Sequence, residues 1–359
     1  MPLANTSSIA ATITPVATAV PPYAVTQSDA IAIAERTFRL DHAKARALGT
    51  LFDNSGVGTR YSVRPLADIE RRLTLTESNA AYCEHALGLG RKVARDALAL
   101  AGVKAEQIDL VITASCTGLM IPSLDARLAG ELGFRPDVKR LPITELGCAA
   151  GACALARAHD YLRGHPGQNV LVITVELPTL TFQGDDLSAQ NLVSSALFGD
   201  GAAATVVRGV AAPGVEILDT CSYQLPGTTG AMGFQLETAG LHIVLSKEMP
   251  VLVSRSLDWL AENFFGRHGL CAADLAFAVV HPGGRKILDI AQTKLALPDA
   301  LLAPSRATLR AYGNVSAASV LFVLEAWQKL APAPSSGSLG AMVAFGPGIS
   351  TEALLLRWR

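Results

Sequence analysis

The chain has 359 residues, of which 50% are hydrophobic and 17% are charged, and its 30 Lys and Arg face 31 Asp and Glu. This length corresponds to two domains or one large doubled unit, and the low charged fraction requires an extensive interior or interface. Disordered and coiled-coil proteins are therefore excluded. Because the net charge is only −1, there is no basic field for a phosphate backbone, and nucleic acid is not expected as a partner.

Neither a membrane helix nor a targeting segment is indicated. Apolar runs such as 169–175 and 276–280 are far shorter than the ~20 residues that a membrane-spanning helix needs. No Lys or Arg precedes Arg36, and three prolines interrupt the N-terminal apolar stretch, whereas a secretory signal needs a basic region before an unbroken apolar one. We therefore expect no membrane span and a cytoplasmic protein.

The cysteines show no pattern of a metal site or a disulfide framework. There is no CxxC motif and no paired histidine spacing, so no metal is expected. Most of the thiols should be reduced, buried and inert, since cysteine is among the most buried residue types. The six are Cys83, Cys116, Cys148, Cys153, Cys221 and Cys271.

Two segments of the chain repeat one plan. An amphipathic helix is predicted over 78–100, followed by Gly102 and a buried strand over 108–113. A second amphipathic helix over 251–265 is followed by Gly269 and a strand over 275–280. In both copies the strand begins six residues after the glycine, which indicates an internal duplication.

The repeat continues in each half with a helix that begins after a glycine and a polar residue. Gly147 and Cys148 precede a helix over 149–162 and a strand over 170–175, while Gly313 and Asn314 precede a helix over 315–330 and a strand over 341–345. Alternating helices and strands predict sheets covered by helices on both faces. We predict a pseudo-duplicated α/β/α/β/α sandwich with halves at 1–212 and 213–359.

Three polar residues occupy special places in this plan. Cys148 and Asn314 hold matching positions at helix N-termini, and His281 follows the apolar strand of the second half. In open α/β sheets, ligands bind at the carboxyl ends of the strands, so these groups are expected in one crevice. A helix N-terminus and a nearby imidazolium would lower the pKa of a nucleophilic thiol. The alternatives are a packing cysteine, a structural histidine and an asparagine N-cap.

Together these residues resemble the type III polyketide synthases of the chalcone and stilbene synthase superfamily, in its bacterial branch. The similarity runs from about Thr14 to the C-terminus and rests on five motifs in order. They are Gly147-Cys148-Ala149-Ala150-Gly151, Leu197-Phe198-Gly199-Asp200-Gly201-Ala202-Ala203-Ala204, His281-Pro282-Gly283-Gly284, Tyr312-Gly313-Asn314-Val315-Ser316-Ala317-Ala318 and Phe345-Gly346-Pro347-Gly348.

The resemblance implies a thiolase-like fold, an obligate homodimer and acyltransferase chemistry. Cys148 would accept an acyl-CoA starter, while His281 and Asn314 would stabilise the oxyanion and the enolate formed when malonyl-CoA loses carbon dioxide. The acyl-CoA starter and malonyl-CoA are then substrates, and no cofactor is expected.

The resemblance also assigns residues of the substrate pocket. Phe198 corresponds to an aromatic gate, Ile243 to a second gate position that is Phe in plant enzymes, and Ile121 to a residue that reaches into the partner subunit's cavity. The smaller Ile243 would leave room for a longer starter. The remaining lining positions are Cys116, Thr181, Phe234 and Ser316.

The mouth for CoA departs from the plant pattern, in which basic residues of an N-terminal helix bind the nucleotide phosphates. The aligned positions here are Ala47, Thr50 and Asn54. Basic residues elsewhere in the chain, and one glycine, are candidates for binding CoA at the mouth. They are Lys44, Arg46, Arg60, Lys247, Gly283, Arg285 and Lys286.

Several functions remain open at this stage. We expect an aliphatic starter that is extended and cyclised to an alkylpyrone, an alkylresorcinol or a related phenolic product. Malonyl-primed synthesis of tetrahydroxynaphthalene or phloroglucinol is an alternative. A β-ketoacyl synthase III that initiates fatty-acid synthesis is another, although His281-Pro282-Gly283-Gly284 argues against it. The last alternative is a binding protein that has this fold but no catalytic activity.

Overall fold

The computed structural model describes residues 11–38 and 41–359. The expectation that the N-terminus holds no secretory signal partly concerns residues 1–10, which lie outside the described residues. Within the described ranges, every helix is too short or too polar to cross a membrane.

In the described part of the first half, the chain forms eight strands and seven α-helices. The strands are β1 (Thr12–Ile13), β2 (Ala17–Ala19), β3 (Tyr23–Thr26), β4 (Thr59–Ser62), β5 (Leu110–Ala114), β6 (Lys139–Ile143), β7 (Asn169–Glu176) and β8 (Gly201–Arg208). The helices are α1 (Gln27–Phe38), α2 (His42–Ser55), α3 (Leu66–Ile69), α4 (Leu75–Ala101), α5 (Leu124–Leu132), α6 (Ala150–Gly164) and α7 (Ala189–Leu197).

The second half contains six strands and four helices within the described residues. The strands are β9 (Val215–Gln224), β10 (Met232–Glu237), β11 (Gly240–Leu245), β12 (Leu275–Val280), β13 (Leu339–Gly346) and β14 (Ser350–Trp358). The helices are α8 (Met249–Leu260), α9 (Arg285–Lys294), α10 (Asp299–Tyr312) and α11 (Ser319–Gln328).

The main sheet repeats one strand order on either side of its centre. Its order is β12-β13-β14-β9-β1-β8-β7-β5-β6, with β2 paired to β8 beside this path. In the first half β5 and β7 are parallel and β8 is antiparallel to β7. In the second half β12 and β13 are parallel and β14 is antiparallel to β13. Since β1 pairs with both β8 and β9, it joins two equivalent halves, and the predicted duplicated sandwich is confirmed.

Two matching helices, α6 and α11, lie buried between the halves. Most side chains of α6 are small, and ten of its fifteen residues are buried. Seven of the ten residues of α11 are buried as well. At their contact, a Cβ on Gly151 would lie 2.1 Å from the backbone oxygen of Ala317, so only glycine permits this approach. The first turns of both helices are thereby brought together.

The structure refines the predicted helix limits. The predicted helix over 78–100 is α4, which begins at a capping box formed by Thr74 and Glu77 and ends at Gly102 in the left-handed conformation. The helix predicted over 251–265 is α-helical only to Leu260 and then continues as a π-helical turn, Ala261–Phe265. The helix predicted from 315 begins at Ser319, after a 3-10 turn.

Candidate active site

Cys148 lies in a 3-10 turn, Gly147–Ala149, directly before α6. Gly147 has a φ of +46°, and a Cβ there would come within 2.8 Å of the Pro347 ring, so this turn requires glycine. The Cys148 sulfur lies 3.6 Å from the hydroxyl of Ser316 and 3.9 and 4.0 Å from Oδ1 and Nδ2 of Asn314. The matching positions of the two halves therefore meet, as the sequence predicts.

The side chain of Asn314 is held in one orientation by its neighbours. Its Oδ1 accepts hydrogen bonds from the backbone N–H of Ser316 at 2.9 Å and from the hydroxyl of Ser319 at 3.3 Å. The residue is 3% exposed. Because these two hydrogen bonds hold the carbonyl oxygen, the amide NH2 group at Nδ2 is the one that can donate towards the Cys148 sulfur and a bound substrate.

His281 continues the line of β12 into the same cavity. Its backbone N–H donates to the Val343 carbonyl at 2.9 Å, and its own carbonyl accepts from Gly283 N–H at 2.9 Å. The ring is buried, and neither nitrogen has a hydrogen-bond partner within the described ranges. It lines a cavity together with Cys148 and Asn314. Neither ring nitrogen is therefore committed to a hydrogen bond with another of the described residues.

Burial determines the protonation of both reactive groups. It raises the pKa of the Cys148 thiol to about 12, and the nearby Glu176 carboxylate acts in the same direction. It lowers the pKa of His281 to about 3. The predicted lowering of the thiol pKa is therefore wrong for the resting site, because desolvation outweighs the helix N-terminus. In the resting site the Cys148 thiol and the His281 ring are therefore both neutral near pH 7.

Glu176, at the end of β7, is a site residue that the sequence reasoning missed. Its carboxylate accepts hydrogen bonds from Cys116 N–H at 3.2 Å, from the Thr117 hydroxyl at 2.9 Å and from the Ser316 hydroxyl at 3.2 Å. Burial raises its pKa to about 7. The available signal was a single carboxylate directly after the buried run 170–175.

The predicted lining residues surround a chamber of about 330 Å³ next to Cys148. Phe198 and Ile243 line both this chamber and the larger cavity, of about 580 Å³, that contains His281 and Asn314. Residue 243 on β11 lies directly opposite Phe234 on β10. The other predicted lining residues in the chamber are Cys116, Thr181, Phe234 and Ser316. Burial, with a contribution from Glu176, raises the pKa of Cys116 well above its usual range.

The mouth of the larger cavity contains only some of the predicted CoA-binding residues. They are Lys247, Gly283, Arg285 and Lys286, and they share the mouth with Ala47, Thr50 and Asn54 of α2. Lys44 and Arg46 are exposed on α2 but do not line the cavity.

The sequence prediction that Arg60 binds CoA phosphates at the mouth is wrong, because this arginine is buried away from the mouth. It is 3% exposed, and its guanidinium donates to the Ser195 carbonyl and to Gln27 Oε1. It lines a separate small cavity behind Phe198. The arginine therefore links β4 to α7 and α1, and burial lowers its pKa to about 10.

Ile121 lines neither the chamber nor the larger cavity of its own chain. Its side chain is 92% exposed, and Leu119 beside it is 60% exposed. Large exposed apolar side chains in one loop are typical of a surface that another chain covers.

No cluster of three or more His, Cys, Asp or Glu side chains that could hold a metal ion occurs among the residues at 11–38 and 41–359.

Comparison with known proteins gives consistent matches along nearly the whole chain. The sequence model described as chalcone and stilbene synthases, N-terminal domain, matches residues 3–211, and the corresponding C-terminal domain matches residues 216–358. A 1,3,6,8-tetrahydroxynaphthalene synthase of Streptomyces peucetius subsp. caesius is 39% identical over 346 residues, 95% of this chain and 91% of the relative. A phloroglucinol synthase of Pseudomonas fluorescens is 31% identical and covers 94% of this chain, with 96% of its own length matched.

A solved structure agrees with these matches. The crystal structure of 1,3,6,8-tetrahydroxynaphthalene synthase from Streptomyces coelicolor A3(2), a bacterial type III polyketide synthase, superposes with a TM-score of 0.93. It is 36% identical and covers 97% of this chain and 99% of its own. The similarity therefore includes both halves and the elements that carry the site.

Proposed function

Because the chain belongs to the chalcone and stilbene synthase family and is a type III polyketide synthase, we propose that Cys148, His281 and Asn314 carry out its condensation cycle. The substrates are an acyl-CoA starter and malonyl-CoA. The observation that carries this proposal is the orientation of Asn314, whose Oδ1 is occupied by two hydrogen bonds. The amide NH2 group of Asn314 therefore faces the cavity as a hydrogen-bond donor.

In the loading step the Cys148 thiol gives its proton to His281, and the thiolate attacks the carbonyl carbon of the starter thioester. The oxyanion that forms accepts hydrogen bonds from Asn314 Nδ2 and from His281. When the tetrahedral intermediate collapses, the carbon–sulfur bond to CoA breaks. The CoA sulfur takes the proton from the imidazolium and leaves, while the acyl group stays on Cys148.

In the extension step malonyl-CoA loses its carboxylate as carbon dioxide, and the bonding electrons form an enolate. Donors from Asn314 and the neutral His281 ring stabilise the developing negative charge on the thioester oxygen. The enolate carbon then attacks the Cys148 thioester, which releases the sulfur and leaves the longer chain on CoA. The cycle is redox-neutral, so it needs no oxidant or reductant.

The starter and product are proposed from the shape of the chamber. Its walls are mainly apolar, and Ile243 leaves space that a phenylalanine would occupy, which supports an aliphatic starter and an alkylpyrone or alkylresorcinol product. The two relatives named tetrahydroxynaphthalene synthase and phloroglucinol synthase favour a second candidate. In that candidate malonyl-CoA is both starter and extender.

Product analysis distinguishes these functions. Purified protein is incubated with malonyl-CoA alone and with a series of acyl-CoA starters, and the products are identified by mass spectrometry. Products that contain an acyl starter and several malonyl-derived units support the first candidate, whereas a phenolic product from malonyl-CoA alone supports the second. In a parallel incubation, malonyl-acyl carrier protein replaces malonyl-CoA. A single β-ketoacyl product on the acyl carrier protein would overturn the iterative cycle and indicate an initiating β-ketoacyl synthase.

We also propose that the protein is a homodimer in which Ile121 enters the cavity of the partner subunit. The exposure of Ile121 and Leu119 supports this arrangement, because such a loop would bury its apolar surface at an interface. Sedimentation analysis should show a dimer that Ile121→Asp weakens. A wild-type monomer with full activity would contradict the proposal.

A further inference from the structure

A polar cavity of about 530 Å³ lies beside the mouth of the catalytic cavity. It is bounded by the end of α2, the turn at 56–58 and one face of α10. Its charged lining consists of Arg285, Arg306, Arg310 and Asp53. Arg285 also lines the catalytic cavity, so the two spaces meet at this side chain.

The charges of the polar cavity favour an anion. Arg306 is paired with Asp289 at 2.7 Å. Arg285 and Arg310 form no ion pair with any carboxylate in the part of the chain that the structure describes, and Asp53 is the single carboxylate in the lining. Two exposed guanidinium groups in one concave space are suited to the bidentate binding of phosphate oxygens.

We propose that this cavity binds the phosphate groups at the nucleotide end of CoA thioesters. The inference rests on the proposed function, in which the pantetheine arm passes through the mouth to reach Cys148. The face of α2 at the mouth presents Ala47, Thr50 and Asn54, none of which carries a positive charge to offset that of a phosphate. Arg285 on α9 and Arg310 on α10 would bind the phosphates instead. Arg285 lies where the mouth meets the polar cavity.

Steady-state kinetics with two substrates test the proposal. Malonyl-CoA carries the nucleotide, whereas malonyl-pantetheine carries the same reacting group without it. Arg310→Gln and Arg285→Gln are each expected to raise the KM for malonyl-CoA by about fivefold to twentyfold, the effect of losing one guanidinium–phosphate contact. The kcat of Arg310→Gln and its KM for malonyl-pantetheine should stay within twofold of wild type, because Arg310 lines only the polar cavity. Adenosine 3′,5′-bisphosphate should inhibit the wild type competitively and Arg310→Gln more weakly.

Arg255→Gln is the matched control, since Arg255 is an exposed arginine on α8 that lines neither cavity. It should leave both KM values unchanged. An unchanged KM for malonyl-CoA in Arg310→Gln overturns the proposal, as does an equal rise in KM for both substrates. Failure of the wild type to turn over either thioester would instead overturn the proposed function.

Discussion

Phe198 and Asn314 face each other in an isolated parallel bridge between the two halves of the chain. The Asn314 N–H donates to the Leu197 carbonyl at 2.8 Å, and the Gly199 N–H donates to the Asn314 carbonyl at 3.1 Å. The aromatic gate and the amide donor are therefore fixed relative to each other through the backbone. A change of the Asn314 side chain leaves these two backbone hydrogen bonds in place, although it removes the acceptor of the Ser316 N–H and of the Ser319 hydroxyl.

The two chemical steps are expected to respond differently to substitution. Cys148→Ala removes the nucleophile and should abolish condensation but retain malonyl-CoA decarboxylation, since the donors to the enolate remain. Asn314→Ala should reduce both by about 10²- to 10³-fold, the usual effect of removing one donor to a developing oxyanion. Release of carbon dioxide from labelled malonyl-CoA and product formation measure the two steps separately. Undiminished carbon dioxide release by Asn314→Ala would refute the role given to the amide.

Alkylation of Cys148 is expected to depend on His281. Burial raises the pKa of the isolated thiol to about 12, so the thiolate is accessible near neutral pH only by proton transfer to the imidazole. In His281→Ala, the rate of Cys148 modification by iodoacetamide at pH 7 should fall at least tenfold and should then increase steadily with pH. Peptide mapping measures the modified fraction. The exposed Cys271 serves as an internal control, and an equal rate for Cys148 in both proteins would contradict this coupling.

The free energy of unfolding is expected to decrease as the pH rises, because Glu352 is buried as a carboxylic acid. Burial raises the pKa of this carboxyl, which accepts a hydrogen bond from Ser222 at 2.7 Å, from 4.5 to about 7. Between these pH values the folded protein holds a proton that the unfolded chain has lost, so the contribution of Glu352 is fully present below pH 4.5 and lost through pH 7. Its slope is at most about 1.4 kcal/mol per pH unit.

Denaturant unfolding at several pH values between 4.5 and 7 measures this slope. Glu352→Gln should make the decrease in unfolding free energy with pH less steep. The corresponding change at an exposed glutamate, Glu262→Gln, is the control and should leave the slope as it is in wild type. A wild-type slope in Glu352→Gln would show that the carboxyl ionises equally in both states.

Sequence patterns predicted the doubled fold and the meeting of Cys148 with Asn314, because helix starts and strand ends follow from local chemistry and periodicity. They did not predict that Arg60 is buried or that Glu176 lies at the centre of a hydrogen-bond network. A single charged residue beside an apolar run usually reads as a surface group, and only the tertiary partners decide its burial. The direction of the Cys148 pKa shift failed for the same reason, since desolvation depends on the whole surrounding structure.

The gate position at Ile243 is expected to set the length of the starter. Ile243→Phe adds a ring to the wall shared by the chamber and the catalytic cavity, so kcat/KM for long acyl-CoA starters should fall about tenfold or more. Steric exclusion of several methylenes accounts for this size of effect. Activity with malonyl-CoA alone should be retained. Leu236→Phe adds the same ring on the neighbouring strand β10 at a side chain that is 59% exposed, and competition between short and long starters should be unchanged in this control. If Ile243→Phe accepts long starters as well as wild type does, the wall at Ile243 does not limit the chain.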